Sequence, residues 1–291
     1  MANLQSSPAL RIGLPKGRMQ DGIFRLLSEA GITVRVPARG YRPNVSLNGF
    51  DAKILKPQNI VEMLHFGSRD IGFAGADWVA ELQADVVELL DTGLDPVRLV
   101  AAAPATLPEN MDFPDRCLVV ASEYQRLTTN WIADKHLDAA FVHSYGATEV
   151  FPPEDADCIV DVTATGETLT TNRLTVLDTL MTSSTRLYAN PRVLEDTARR
   201  ESCERFVLLL RSVLEARRRV MVEVNVGPDR INDVIAILPC MRQPTVSPLN
   251  AGEGYAIKAA VPRIQLARII PEIKARGGTD IVVTSINQIV P

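Results

Sequence analysis

The sequence has no apolar run approaching the length a bilayer demands, about 18 residues, so no segment reads as a membrane-spanning helix. Its first eight residues are polar and uncharged, and no apolar segment follows them, which is not the pattern of a secretory signal. Histidine is scarce, and His65, His136 and His143 are scattered. The four cysteines, Cys117, Cys158, Cys203 and Cys240, form no C-x-x-C pair and no zinc spacing. They are expected to be reduced in a cytoplasmic protein. No Ser/His/Asp or Cys/His set can be built from the spacing. The first strand lacks a dinucleotide-binding glycine fingerprint, and there is no Walker A motif. An excess of positive charge is also missing. Lys plus Arg number 31 against 35 Asp plus Glu, for a net charge of -4. That balance argues against a broad nucleic-acid footprint and leaves room for a local basic pocket.

What is present is an ordinary globular composition, 46% hydrophobic and 23% charged over 291 residues, enough for two compact domains. Residues 10–14 read as a buried strand. Ile23, Leu26, Leu27 and Ala30 then share a helical face that Gly31 stops. Further strands are expected at 53–55, 70–73, 97–102, 118–121, 139–143 and 158–162. Helices are expected at 60–66, from Asp77 towards Leu82, and at 122–136. This β-α alternation predicts mostly parallel sheets covered by helices. Asn190-Pro191 predicts a helix start, an N-cap followed by proline at the first helical position. The long helix behind it closes on the basic run 217–219, the expected domain boundary. Beyond it the order is strand 220–226, helix 228–238, strands 245–249 and 254–261, helix 262–275 kinked near Pro271, and strand 281–286. That βαββαβ order predicts a ferredoxin-like domain.

The strongest chemical signal is the segment 161–169, Asp-Val-Thr-Ala-Thr-Gly-Glu-Thr-Leu, at the end of a strand. Thr163, Ala164, Thr165, Gly166, Glu167 and Thr168 offer small side chains, hydroxyls and converging N–H groups, as a phosphate cradle requires. Asp161 stands before the cradle, where a carboxylate can take sugar hydroxyls or a metal. Lys16, Gly17 and Arg18 follow the first strand, and ligands of open α/β sheets bind beyond strand carboxyl ends. The stretch 67–77 brackets a strand with glycines and aspartates, Gly75 allows close approach, and Asp77 suits a helix cap. Glu149, in Gly-Ala-Thr-Glu-Val at 146–150, is placed to meet ribose hydroxyls across from Asp161. Each of these segments taken alone also fits a plain structural role as a turn or cap.

In this order the segments resemble the ATP phosphoribosyltransferase family. The turn Leu-Pro-Lys-Gly-Arg at 14–18 carries the likeness, with Pro57 to Ile60 after Lys56, and Gly-x-x-Asp-x-Gly-x-x-Gly-x-Asp at 67–77. Gly-x-x-Glu-Val at 146–150, the loop at 161–169 and Asn-x-Leu at 172–174 complete it. In this chain Ala164 stands where many members have Glu, Ser or Asp, and Thr163 where Val or Ile is usual. The resemblance implies a two-lobed α/β catalytic part like type II periplasmic binding proteins, residues 1–216. Lobe I would be 1–103 with 186–216, and lobe II 104–185. A ferredoxin-like regulatory domain, 217–291, follows, and Pro-Thr-x-x-Pro-Leu at 244–249 is similar to its signature. It implies transfer of phosphoribosyl from phosphoribosyl pyrophosphate (PRPP) to N1 of ATP, with Mg²⁺ on the phosphates and feedback inhibition by histidine. It also implies a homo-oligomer, a hexamer built of dimers. The residues carried over as catalytic are Lys16, Arg18, Glu149 and Asp161. Those carried over for PRPP are Asp161 and Thr163 to Thr168. For ATP they are Lys16, Gly17, Arg18, Lys56, Asp70 and Gly75, Asp70 and Asp77 also organising the cleft. For histidine they are Asn225, Thr245, Ala260 and Asp280. A solute-binding protein of the same shape, a phosphoribosyltransferase with another acceptor, and a non-catalytic relative are the rival readings.

Overall fold

The structure, a computed structural model, describes residues 10–37, 40–105 and 116–290. Packing divides the chain into two compact units, Met1–Arg25 with Ile32–Glu204, and Leu26–Gly31 with Arg205–Pro291. The division by packing falls inside the long helix, earlier than the basic run at its end. The second half of that helix is tied to the C-terminal segment, as the Ile289 N–H donating to Ser212 O at 2.9 Å shows.

The first unit begins with β1 (Leu10–Pro15), α1 (Arg18–Glu29), β2 (Val34–Arg35), β3 (Asn44–Val45), β4 (Phe50–Leu55) and α2 (Pro57–His65). It continues with β5 (Ile71–Gly75), α3 (Ala76–Leu82), β6 (Val87–Pro104), β7 (Leu118–Ser122), α4 (Gln125–Asp134), β8 (Ala139–His143) and β9 (Cys158–Thr163). Then come α5 (Glu167–Thr171), β10 (Leu174–Ala189), α6 (Pro191–Glu195) and α7 (Thr197–Arg217). Asn190 caps α6 as expected, its side chain accepting from the Arg192 N–H. One further break was not expected: Asp196 adopts an extended backbone between α6 and α7.

Eight strands form one sheet in the order β4-β1-β5-β10-β6-β9-β7-β8. The group β4-β1-β5 is parallel, and so is the group β9-β7-β8. Between them run β10 and β6, antiparallel to each other and to the group each adjoins. These two strands, of 16 and 18 residues, are long enough to serve both groups. β5 ends where Gly75 faces Thr185 of β10, itself opposite Leu94 of β6. β9 ends where Thr163 faces Arg98, which lies opposite Thr182. The carboxyl ends of both parallel groups therefore point at one another across residues 94–98 and 182–185. This is the two-lobed α/β architecture expected from the sequence.

Apolar layers cover both faces of the second group. Leu99, Ala101, Val120 and Val160 pack with Tyr124 and Trp131 on one face. Val100, Ala102, Ala121 and Ile159 pack with Leu169 and Leu174 on the other.

The second unit adds β11 (Arg219–Val226), α8 (Ile231–Ile235), β12 (Thr245–Pro248), β13 (Tyr255–Pro262), α9 (Leu266–Ala275) and β14 (Thr279–Ser285). Its antiparallel sheet has the order β12-β13-β11-β14, which with the two helices is the ferredoxin-like arrangement. Along β11, Val220, Val222, Val224 and Val226 alternate inward and pack with Val234, Ile269 and Ile273 of the helices. Pro271 lies inside α9, as expected.

Candidate active site

On the β4-β1-β5 side, three adjacent strand ends carry the basic turn and its neighbours. Lys16, Gly17 and Arg18 follow β1 and are exposed. Lys56 follows β4 and is exposed at the start of α2. Gly75 ends β5. The Lys16 N–H donates to Leu55 O at 2.8 Å, which ties the ends of β1 and β4 together. The Lys16 ammonium lies 5.0 Å over the ring of Tyr41, an exposed aromatic beside the basic turn.

The glycine at 75 has a steric reason. A Cβ there would meet Asp77 Oδ1 at 2.1 Å, because the Asp77 carboxylate turns back over the strand end. Asp77 is no exposed cap. The N-cap position of α3 is Gly75, with no side-chain cap, and Asp77 lies buried in the first turn. Its Oδ1 accepts from Ser183 Oγ at 2.5 Å, and its Oδ2 accepts from Tyr124 Oη at 2.6 Å. Burial with the charge of Asp77 close by pushes the Tyr124 phenol well above its ordinary range, so it stays a donor. Trp78 stacks on Tyr124 with centroids 4.5 Å apart. Glu81, also buried, accepts from the Arg126 and Leu127 N–H groups at 2.8 and 3.0 Å, at the first turn of α4. The two strand groups are thus clamped together through α3 and α4 on one face of the sheet.

Asp70 does not belong with the ATP-facing set. It lies at the opposite end of β5 from Gly75, next to Arg11. Both of its oxygens are taken by the Arg11 guanidinium, at 3.0 and 2.7 Å, and Arg199 approaches Oδ1 at 3.2 Å. Those bonds hold its pKa below the ordinary carboxylate value although burial opposes them. Its role is to fasten β1, β5 and α7, and a strand length of about 16 Å separates it from the ligand end.

On the β9-β7-β8 side, residues 163–168 form a tight turn after β9. Gly166 has φ 85°, a left-handed conformation that disfavours side chains. Its N–H donates to Thr163 Oγ1 at 2.9 Å, so Thr163, buried, closes the turn with its hydroxyl. A Val or Ile at this position would have no such acceptor. Ala164, Thr165, Glu167 and Thr168 are exposed around the turn, while Leu169 anchors it in the apolar layer. Asp161 sits at the base. Burial, with Glu149 and Glu123 nearby, pushes its pKa up to about 6, although the Val162 N–H and the charge of Arg18 pull the other way. Arg18 follows β1 and Asp161 lies near the end of β9, strands that belong to opposite groups. Glu149 is half-buried in the 3-10 turn after β8, positioned by a hydrogen bond of 2.7 Å between Ser144 and Thr148.

Two residues here had gone unnoticed in the sequence, Glu123 and Tyr124. The Glu123 carboxylate lies 3.8 Å from where a Cβ on Gly146 would stand. Their position directly after β7 was the available signal, since strand carboxyl ends line such sites. Glu123, Glu149 and Asp161 share the cleft without converging. Among the described residues no group of three or more His, Cys, Asp or Glu is placed to hold a metal.

In the C-terminal unit the four residues assigned to histidine separate into two pairs. Thr245 and Ala260 line a cavity of 470 Å³ with Met221, Cys240, Arg242 and Lys258 among its walls. Asn225 donates to Asp280 Oδ2 at 3.1 Å and stands four residues further along β11 than Met221, the partner of Ala260. That is a strand distance of about 13 Å.

An exposed basic turn and a Thr/Gly turn over a half-buried carboxylate, facing each other at the strand ends of a two-lobed sheet, are the site of a phosphoribosyltransferase-type enzyme. The comparisons agree. Residues 56–212 match the family described as ATP phosphoribosyltransferase, and residues 216–288 match its C-terminal domain. The ATP phosphoribosyltransferase of Pelotomaculum thermopropionicum is 35% identical over 97% of this chain and 99% of its own. That of Chlorobium luteolum is 34% identical over 98% and 99%. Among solved structures, the ATP phosphoribosyl transferase (HisG:HisZ) complex from Thermotoga maritima aligns with a TM-score of 0.63 at 25% identity, covering 71% of this chain and 98% of that one. The chain belongs to the ATP phosphoribosyltransferase family, in its long form with the C-terminal domain, and the family catalyses the first step of histidine biosynthesis.

Proposed function

We propose that this chain transfers the phosphoribosyl group of PRPP to N1 of ATP, releases pyrophosphate, and is inhibited by histidine through its C-terminal domain. The observation that supports it most is the register that points the strand ends carrying the basic turn 16–18 and the turn 163–168 at one another. In this reading the cradle holds the 5′-phosphate, and Asp161 and Glu149 accept from ribose hydroxyls. Lys16, Arg18 and Lys56 meet the phosphates of ATP and the leaving pyrophosphate. The adenine N1 lone pair forms the bond to C1 of the ribose as the bond from C1 to the pyrophosphate oxygen breaks with its electron pair. N1 loses no proton on attack, so no general base is needed. Catalysis then rests on holding two polyanions in line and on cations facing the departing charge.

The donor set suits a Mg²⁺ carried on substrate phosphates, with Asp161 and Glu149 near enough to the cleft to hold its waters. The ion would supply neutralisation of the pyrophosphate charge. Histidine is assigned to the cavity at Thr245 and Ala260, where Arg242 offers charge to its carboxylate. It would act by binding two arrangements of the assembly unequally. A homo-oligomer and a cytoplasmic location belong to the same reading.

The test is a reaction of ATP, PRPP and Mg²⁺ with pyrophosphatase, followed by the ultraviolet change of N1-ribosylated adenine, with and without histidine. Product that falls on adding histidine is expected. Product with another acceptor and none with ATP would overturn the acceptor assignment.

A further inference from the structure

The middle of the sheet, between the two sets of strand ends, carries one arginine that the function above leaves unused. Arg98 lies in β6 directly opposite Thr163, the residue that closes the phosphate cradle, and opposite Thr182 of β10 on its other side. Cross-strand neighbours of this kind hold their Cβ atoms about 5 Å apart. Alternation along β6 decides its direction. Leu99, Ala101 and Ala103 pack on the face that α4 covers. Val100 and Ala102 pack on the other, with Ile159 of β9. Arg98 therefore shares the face of Val100, and Asp161 and Thr163 share the face of Ile159, which is the same one.

The opposite face of this floor is closed. There Ser183, the register partner of Val97, bonds Asp77, which Tyr124 also holds. The Arg98 side is open, since Arg98 and Thr182 are both exposed. On that side Gly22 of α1 comes within 3.6 Å of Asp95, measured from an added Cβ, and the same helix begins at Arg18. No ion pair engages the Arg98 guanidinium among the described residues. A strand-borne cation, unpaired and aimed past a hydroxyl-lined phosphate turn, has the fork that phosphoryl oxygens accept. Lys16 and Lys56 stand on turns and Arg18 at the start of α1, whereas Arg98 is held by ladders on both sides.

We propose that Arg98 is a further substrate-binding residue, the cation on the cleft floor that meets the 5′-phosphate of the phosphoribosyl substrate beside Thr163. The assignment rests on the function proposed above and adds a specific contact to it. The experiment uses the full chain with R98A and R98K. PRPP is varied at saturating ATP and ATP at saturating PRPP, with ribose 5-phosphate and pyrophosphate as separate inhibitors. R98A is expected to raise the KM for PRPP by about 10- to 100-fold, as loss of a charge-assisted phosphate contact does. The KM for ATP should move less than about twofold, and inhibition by ribose 5-phosphate should weaken in parallel with PRPP. R98K, which keeps the charge without the fork, should fall between and serves as the test if R98A fails to fold. An unchanged KM for PRPP in the folded variants would overturn the assignment. So would loss of pyrophosphate inhibition with ribose 5-phosphate inhibition intact, which would place the cation at the leaving group. A wild-type chain that does not use PRPP at all would instead overturn the function beneath it.

Discussion

The two units bury different things. In the catalytic unit, Arg69, Asp70, Asp77 and Glu81 are buried, and Asp161 is burdened enough by its surroundings to titrate near 6. Among the described residues of Arg205–Pro291 the buried set is apolar apart from Ser212. Buried charge is costly unless paired, so its presence in one unit and not in the other marks where geometry has to be held against water. The catalytic unit keeps two strand groups in register, and it does so with carboxylates bonded from both sides. The C-terminal unit is an amphipathic sheet under two helices, and its cavity lies among residues that its core does not need.

This contrast can be broken most severely at the cradle. Gly166→Asp places a side chain on a left-handed backbone and a negative charge where the proposed function puts a phosphate. Activity should fall at least about 1000-fold, as for loss of a main electrostatic element, with the fold retained by circular dichroism. Normal PRPP binding by this variant would remove the loop from the site.

Asp161→Asn separates function from stability. Its folded pKa, about 6, lies above the ordinary 3.8, so its ionised form is disfavoured by folding. That cost is absent below pH 4, grows as the pH rises, and is fully present above pH 6. Removing the charge should therefore stabilise the chain at pH 8 by roughly 1–3 kcal/mol, read as a higher melting temperature. The same change should lower kcat/KM for PRPP by about 100-fold. Wild-type activity should decline as the pH falls through 6, a limb that the variant loses. A variant that is both active and destabilised would sink the assignment of Asp161 to the ribose.

In the C-terminal unit, Thr245→Trp fills the cavity that Thr245 lines. The histidine concentration for half inhibition should rise about 10-fold or more, the range of ordinary coupling energies. Unaltered inhibition would move the effector away from Thr245 and Ala260.

The smallest effect is expected at the clamp. Tyr124→Phe removes one donor from buried Asp77 and leaves Ser183 in place. The loss should be about 1–2 kcal/mol, or a few degrees in melting temperature. A shift below half a degree would mean that the two strand groups do not depend on this bond.

Much of the fold was legible because it follows local rules. The cap at Asn190, the stop at Gly31, the alternation along β11 and the βαββαβ order each need only neighbouring residues. The turn at 163–168 was legible for the same reason, since its glycine and its hydroxyls are close neighbours. The long strand β10 was not foreseen, and β6 was seen only over 97–102. Their sequences carry Thr, Ser and Asp, and β6 contains Gly93 and Pro96, because both strands cross a half-solvated cleft floor that needs no apolar alternation.

The amino-acid order by itself determined the strand ends and the turns upon them, because hydroxyls, glycine and charge act over a few residues. Only the tertiary structure decided which turns meet. It sent Asp70 to the far end of β5 and into the grip of Arg11, and drew Asp77, Tyr124 and Ser183 together from positions more than 40 residues apart. It also set Arg98 beside Thr163 and split the four expected histidine contacts into two pairs. Register and sheet order carry that information, and they are settled by packing between distant segments rather than by the preferences of any one of them.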